Sequence, residues 1–178
     1  MNIGISGPIG TGKTTAAKYL SANHGFCYLR YSEILAEMLG EENLERSALR
    51  DWGWDVMSGG QQKALNETLV SKMKPGISYV IDGLRHPMDL ETLSTHTDQP
   101  FYLLYIEASP TIRWQRVKGR DGFRTWEEFK SADCHPIEGN LRLLKERAYK
   151  ILPNEGALEA LHLTLDETVK EVKGLVQR

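Results

Sequence analysis

Two kinds of apolar pattern divide this chain. Short stretches dominated by apolar residues lie at positions 2–6, 26–29, 77–81, 101–106 and 149–152. They predict five strands, and the runs at 77–81 and 101–106 lack polar alternation, as in a parallel sheet covered on both faces. Between them, apolar residues recur every three or four positions, the helical spacing. Ala16, Ala17 and Leu20 share one side of a helix over 12–23. Ile34, Leu35, Met38 and Leu39 do the same ahead of Gly40, a C-terminal stop, and Leu65, Leu69 and Met73 mark a helix closed by Pro75-Gly76. Further helices are expected from Pro87 and Pro110, and Thr125-Trp126-Glu127-Glu128 reads as an N-cap with an acidic first turn. Ile137, Leu141 and Leu144 share a face, and so do Val169, Val172 and Val176. Strand and helix alternate with no linker or repeat, so the expectation is one α/β domain over 1–178, doubly wound around a five-stranded parallel sheet.

The first strand runs directly into Gly7-Pro8-Ile9-Gly10-Thr11-Gly12-Lys13-Thr14, which fits G-x-x-x-x-G-K-[ST] at every required position and opens a predicted helix. Glycines let the backbone curl around phosphate oxygens with N–H groups inward, and the helix N-terminus adds favourable partial charge. Gly7, Gly10, Thr11, Gly12, Lys13, Thr14 and Thr15 are therefore expected to bind ATP. Lys13 would bridge the β- and γ-phosphates, and the Thr14 hydroxyl would hold Mg²⁺. The architecture becomes that of a P-loop NTPase, a three-layer α/β/α sandwich. The loop names the ligand class and not the reaction. No N-K-x-D string accompanies it, which weakens the case for a guanine-specific switch.

Composition narrows the setting. The chain has 178 residues, enough for one ordinary domain. Lys plus Arg number 22 against 24 Asp plus Glu, a net charge of −2, which disfavours a general nucleic-acid coat. No apolar run is long enough to span a bilayer and no signal peptide is evident, so no membrane partner is expected. Cys27 and Cys134 are far apart and outside any C-x-x-C spacing, so neither a disulfide framework nor a zinc site is supported and a reduced, cytoplasmic setting is the expectation.

Ser58-Gly59-Gly60-Gln61-Gln62 resembles the signature peptide of ABC-transporter ATPases. Asp82 is followed by Gly83, however, where that family places the glutamate that activates water, and Thr95-His96 lies too close behind Asp82 to be its histidine switch. The segment is read instead as a turn and helix start. Asp82 ends the third strand, in the sheet that carries the phosphate loop, and so is placed to hold Mg²⁺ or its water. Arg85 beside it suits a bidentate phosphate clamp, and Arg46 and Arg50 are candidates to join it on an acceptor phosphate. Arg113, Arg116 and Arg120 would share a helix face, an electrostatic cost unless an anion compensates it. Trp52 and Trp54 suit either base stacking or packing, and Arg142 and Arg147 either the site or an exposed helix face.

With these residues in place, the chain resembles the nucleoside and nucleotide monophosphate kinase group: adenylate-kinase-like proteins, dephospho-CoA kinases and phage deoxynucleoside monophosphate kinases. Asp82-Gly83-Leu84-Arg85 is similar to the D-G-F-P-R segment of adenylate kinases, without its proline. Arg116-Val117-Lys118-Gly119-Arg120 resembles the R-x-x-x-R that opens their lid, which implies that Arg116 and Arg120 grip ATP and the moving phosphoryl. Tyr31-Ser32-Glu33 stands where their acceptor-binding helices begin, which implies an acceptor role for Ser32. Leu152-Pro153-Asn154-Glu155-Gly156 is similar to the N-x-G turn of dephospho-CoA kinases, which implies that Asn154 lies near the adenine. The resemblance further implies a helical acceptor-binding insert over about 31–73 and a lid over about 120–140, short, helical and without a zinc knuckle.

The expected function is phosphoryl transfer from ATP, with Mg²⁺, to a small phosphorylated acceptor, a (deoxy)nucleoside monophosphate. Lys13, Asp82, Arg116 and Arg120 would be catalytic, Thr14 and Asp82 would hold the metal, and Ser32, Arg46, Arg50 and Arg85 would bind the acceptor. Phosphorylation of a ribose hydroxyl, as by dephospho-CoA kinases, needs a base from the second strand, and residues 26–32 contain no aspartate. An acceptor-independent ATPase would hydrolyse ATP alone, and a nucleotide sensor would bind it without turnover; both stay open beside the kinase. Small nucleotides are the expected partners, nucleic acid is not, and monomer or dimer is open.

Overall fold

The computed structural model describes residues 1–40, 46–119 and 123–176, with the side chains of Arg46, Ser47, Leu49, Arg50 and Ile137 outside the description. Five strands, β1 (Asn2–Ser6), β2 (Cys27–Arg30), β3 (Tyr79–Leu84), β4 (Phe101–Glu107) and β5 (Lys150–Pro153), form one sheet in the order β2-β3-β1-β4-β5. Every pairing is parallel. The helices are α1 (Lys13–His24), α2 (Tyr31–Leu39), α3 (Arg46–Ser58), α4 (Gln62–Ser71), α5 (Pro87–Thr95), α6 (Pro110–Val117), α7 (Trp126–Asp133), α8 (Leu141–Glu146) and α9 (Leu158–Val176), with a 3₁₀ turn at Pro136–Glu138. The order of strands sends the chain first to one side of β1 and then to the other, and the crevice at that switch, beyond the strand C-termini, is where such sheets bind ligands.

The sheet is covered on both faces, as its unbroken apolar strands require. On one face Ala16, Ala17 and Leu20 of α1 and Leu161, Leu165 and Val169 of α9 pack against Ile3, Ile5, Val80 and Leu104. On the other, Ile34 and Leu35 of α2, Leu65 and Leu69 of α4, Leu93 of α5 and Leu144 of α8 close over Ile81, Leu84 and Leu103. This is the three-layer α/β/α architecture anticipated from the sequence.

Some element boundaries differ from the sequence reading. The third strand is Tyr79–Leu84, not 77–81, because Gly76 has φ +76° and Ile77 is 40 % exposed in the preceding turn. Its pairing with β1 and β2 carries it on through Asp82 to Leu84. Of the α2 face, Ile34 and Leu35 are buried while Met38 and Leu39 are exposed, and Gly40 closes the helix in the left-handed conformation as expected. Helix α4 stops at Ser71, so Met73 packs on the core from beyond its end. Helix α6 ends at Val117, so Arg113 and Arg116 lie on it and Arg120, outside the described residues, follows it. Ser58 ends α3, and Gly59-Gly60 turns the chain into α4, as the turn reading of the ABC-like segment required. The Thr125 cap of α7 is a full capping box with Glu128. No helix among the described residues is long and apolar enough to cross a membrane.

Candidate active site

The phosphate loop joins β1 to α1 beneath the crevice. Gly7 has φ +140°, and a Cβ there would sit 2.1 Å from the Ile106 carbonyl oxygen, a group fixed within the sheet. Gly7→Ala is therefore expected to destabilise the fold by about 2 kcal/mol or more and to lower the thermal midpoint by about 4–8 °C, as read by calorimetry. Gly12, at φ +96°, caps α1, and a Cβ there would meet Asn154 Nδ2 at 2.8 Å. That amide donates to Thr11 O at 2.8 Å, so the turn after β5 braces the loop from outside. The Thr11 hydroxyl donates to Pro8 O at 2.9 Å. Lys13 Nζ donates to Gly7 O at 2.6 Å and Pro8 O at 2.7 Å, folded back along the loop it serves.

Asp82, 2 % exposed, comes up beside the loop from β3. Its Oδ2 accepts from the Thr14 hydroxyl at 2.7 Å and the Tyr28 hydroxyl at 3.0 Å, with Arg30 Nε at 3.5 Å. Burial, with the Asp82 charge beside it, pushes the Tyr28 phenol well above its ordinary range, so it stays a donor. A carboxylate oxygen and a threonine hydroxyl side by side at the end of a phosphate loop form a set of hard oxygen donors that fits Mg²⁺. The β2–β3 register places Arg30 opposite Asp82, and the sequence reading missed both Arg30 and Tyr28.

A cavity of about 460 Å³ opens at this point, and Gly10, Gly12, Lys13, Thr14, Thr15, Arg116 and Asn154 are among the residues that line it. Arg30, Ser32, Gln62, Asp82, Arg85 and Asp89 line it as well. Gly7 and Thr11 shape the loop without lining the cavity. Arg116 donates to Asn154 O at 2.9 Å and Gly156 O at 3.3 Å, which ties α6 to the turn after β5. Arg85 pairs with Glu138, a buried carboxylate on the 3₁₀ turn. Asp89 Oδ2 accepts the backbone N–H groups of Arg85 and His86, at 2.9 Å each, and its Oδ1 accepts from Gln62 Nε2 at 2.5 Å. Burial pushes the Asp89 carboxyl up, while these N–H donors and the Asn66 amide hold it down. The sequence marked only a helix start near Pro87; the His86–Asp89 capping box is the signal that would have drawn attention to Asp89.

Other candidates lie elsewhere. Arg113, 5 % exposed, forms a bidentate pair with Asp133 of α7 at 2.5 and 2.8 Å and donates to Ile9 O at 3.1 Å. Its charge is thus compensated within the protein, so Arg113 leaves the anion-facing row expected of it and instead braces α6 against α7. Arg120 and the side chains of Arg46 and Arg50 lie outside the described residues. Arg142 pairs with Glu146 at 3.0 Å and Arg147 with Glu91 at 2.8 Å on exposed surface. Trp52 packs on the core and Trp54 meets the His135 ring edge-on, 6.3 Å between centroids. Cys27 and Cys134 are exposed free thiols, and no cluster of His, Cys, Asp and Glu among the described residues suits a metal ion.

Comparison with known proteins agrees with this geometry. Residues 3–134 match the family model described as an AAA domain. A UPF0200 protein of Pyrobaculum aerophilum is 30% identical over 176 residues, which cover 96% of this chain and 98% of that protein. A cytidylate kinase of Methanoregula boonei is 33% identical over 72 residues, 38% of this chain and 40% of that one. Among solved structures, a shikimate kinase from Aquifex aeolicus superposes with a TM-score of 0.62 at 14% identity, covering 99% of this chain and 98% of its own. At that identity the likeness speaks for the fold, and the fold is that of the P-loop kinases. With a complete phosphate loop, a sheet wound around it and a full-length relative, the chain belongs to the AAA-domain P-loop family and to the UPF0200 proteins within reach of the nucleotide kinases that its sequence resembles.

Proposed function

We propose that this protein is an ATP- and Mg²⁺-dependent kinase whose acceptor is a (deoxy)nucleoside monophosphate. The observation that carries the reading is the composition of the cavity beside the phosphate loop: besides the loop with Lys13, two arginines from outside it, Arg30 and Arg85, line the same cavity. Several cationic groups around one cavity suit two anions brought together for in-line transfer. An oxygen of the acceptor phosphate attacks the γ-phosphorus, the bond to the β,γ-bridging oxygen breaks, and ADP leaves. The acceptor oxygen is already ionised, so no general base is needed. Consistent with that, β2 ends in Arg30, where an enzyme that phosphorylates a hydroxyl would want an aspartate.

Lys13 and the loop amides cradle the β- and γ-phosphates. Thr14 and Asp82 would hold Mg²⁺, which when bound neutralises charge on the β- and γ-oxygens. Arg116, with Arg120, meets the charge on the moving phosphoryl, and Asn154 fixes the turn beside the ATP base. Ser32 and Arg85 bind the acceptor, with Arg46 and Arg50 as further partners from the insert. The span 120–140, helical at α7, closes over both substrates and excludes water.

The test is ADP formation with a panel of ribo- and deoxynucleoside monophosphates and dephospho-CoA. Fast ADP formation with one or two monophosphates is the expected result. Equal ATP consumption with no acceptor marks an ATPase, and turnover of dephospho-CoA alone marks a hydroxyl kinase; either overturns the proposal. Arg85→Lys keeps the charge beside Glu138 but loses the planar fork, so the acceptor KM is expected to rise about tenfold while the ATP KM stays within about twofold. Steady-state kinetics varying each substrate in turn separates the two.

A further inference from the structure

We infer that Glu138 is a positioning residue of the acceptor site, which holds the Arg85 guanidinium in place before the acceptor phosphate arrives; this rests on the kinase reading above, in which Arg85 binds that phosphate. Arg85 follows the last residue of β3 and lines the cavity, its side chain 28 % exposed. Glu138 does not line the cavity. Its side chain, 5 % exposed, meets Arg85 Nη1 with Oε1 from the 3₁₀ turn. The carboxylate is thus shut off from the substrate and acts on it only through the arginine.

Of this pair, Glu138 is the fixed member. Its backbone N–H donates to His135 O at 2.8 Å and that of Gly139 to Pro136 O at 2.9 Å, which closes the turn. Leu141, just beyond, is buried in the core. On the other side His135 lies against α3, with Nε2 3.5 Å from Asp51 Oδ1 and its ring edge-on to Trp54. Arg85 is anchored at its base, where its backbone N–H donates to Asp89 Oδ2 at 2.9 Å, but the guanidinium stands at the end of a long side chain whose ordering costs entropy. Glu138 Oε2 is buried and nothing among the described residues donates to it. Compensation of the carboxylate therefore rests on the contact with Arg85, and a buried pair is costly to break.

An arginine ordered in this way meets its conformational cost in folding and not in binding, so the acceptor binds more tightly by that amount. A guanidinium carries five N–H donors in a planar fork, which lets one arginine serve a carboxylate and a phosphate together. The opposing effect is repulsion between the carboxylate and the incoming anion. The two effects predict opposite signs when the charge on Glu138 is removed, and the anchored turn favours positioning.

The experiment introduces Glu138→Gln into the wild-type protein and into Arg85→Ala, and measures steady-state kinetics varying ATP and, in turn, the monophosphate turned over fastest in the panel above. The amide keeps the size and an acceptor oxygen but loses the charge. The acceptor KM is expected to rise about fivefold or more, while kcat and the ATP KM stay within about twofold. In the Arg85→Ala background the same substitution is expected not to raise the acceptor KM, because the group it positions is gone. Glu138→Asp, which keeps the charge and shortens the reach, carries the same test if the Gln variant does not fold. A lower acceptor KM would make Glu138 a competitor of the phosphate for Arg85. An unchanged one, a rise shared by the ATP KM, or an equal rise in both backgrounds would make it a support of the turn alone. Each of these overturns the inference while the kinase assignment survives, and no turnover of any monophosphate by the wild-type protein overturns both.

Discussion

Lys13→Ala is expected to lower kcat/KM for phosphoryl transfer by about a thousandfold or more while leaving the protein folded. Transfer of a γ-phosphoryl group asks little covalent help of the protein; positioning and charge stabilisation supply nearly all of the acceleration. Lys13 is the cation that the loop itself contributes, and alanine removes it without touching the glycine conformations that give the loop its shape. In the structure its ammonium donates to Gly7 O and Pro8 O, two carbonyls of a turn already braced by Thr11 and Asn154. Loss of these bonds from a partly exposed group should move the thermal midpoint by only about 2–4 °C. Single-turnover kinetics at saturating ATP, beside a melting curve, separates the two effects. A variant within tenfold of wild type would mean that the loop binds nucleotide for some purpose other than transfer.

The parts of the site that were legible in the sequence are those whose chemistry is local. The phosphate loop is a contiguous run between a strand and a helix, and Asp82 stands near the C-terminal end of a strand of the same sheet, so both could be placed without knowing what packs where. Arg30 could not. It becomes a neighbour of Asp82 only because β2 pairs with β3 in parallel register, and that pairing follows from strand order, which periodicity does not state. Glu138 meets Arg85 across the molecule, and Asp133 meets Arg113 from another helix. A row of like charges in the sequence says nothing about which of them the fold itself neutralises. Gln62 was hidden for a different reason. It ends a segment similar to an ABC signature, and the correct rejection of that likeness left the residue as part of a helix start, whereas its amide donates to Asp89, beyond β3.

Asp82→Asn should show the metal's place in the reaction most directly. The substitution keeps the size of the side chain and an oxygen acceptor for the Thr14 and Tyr28 hydroxyls, which lie 2.7 and 3.0 Å from Oδ2. What it removes is the negative charge that faces both the proposed Mg²⁺ position and Arg30. A hard divalent ion held by one carboxylate and one hydroxyl loses the charged member of that pair in the exchange, so the Mg²⁺ concentration for half-maximal rate is expected to rise about tenfold or more. At saturating ATP and the wild-type optimum of Mg²⁺, kcat should fall about 10²–10³-fold, because charge on the β- and γ-oxygens is no longer met as it develops. Tyr28→Phe is the matched control. It takes one donor from the same oxygen and leaves the charge, so its Mg²⁺ dependence should stay within about twofold of wild type. If Asp82→Asn instead titrates with Mg²⁺ like the parent and keeps kcat within about threefold, Asp82 is a structural anchor for Thr14 and Arg30, and the ion is held by other groups.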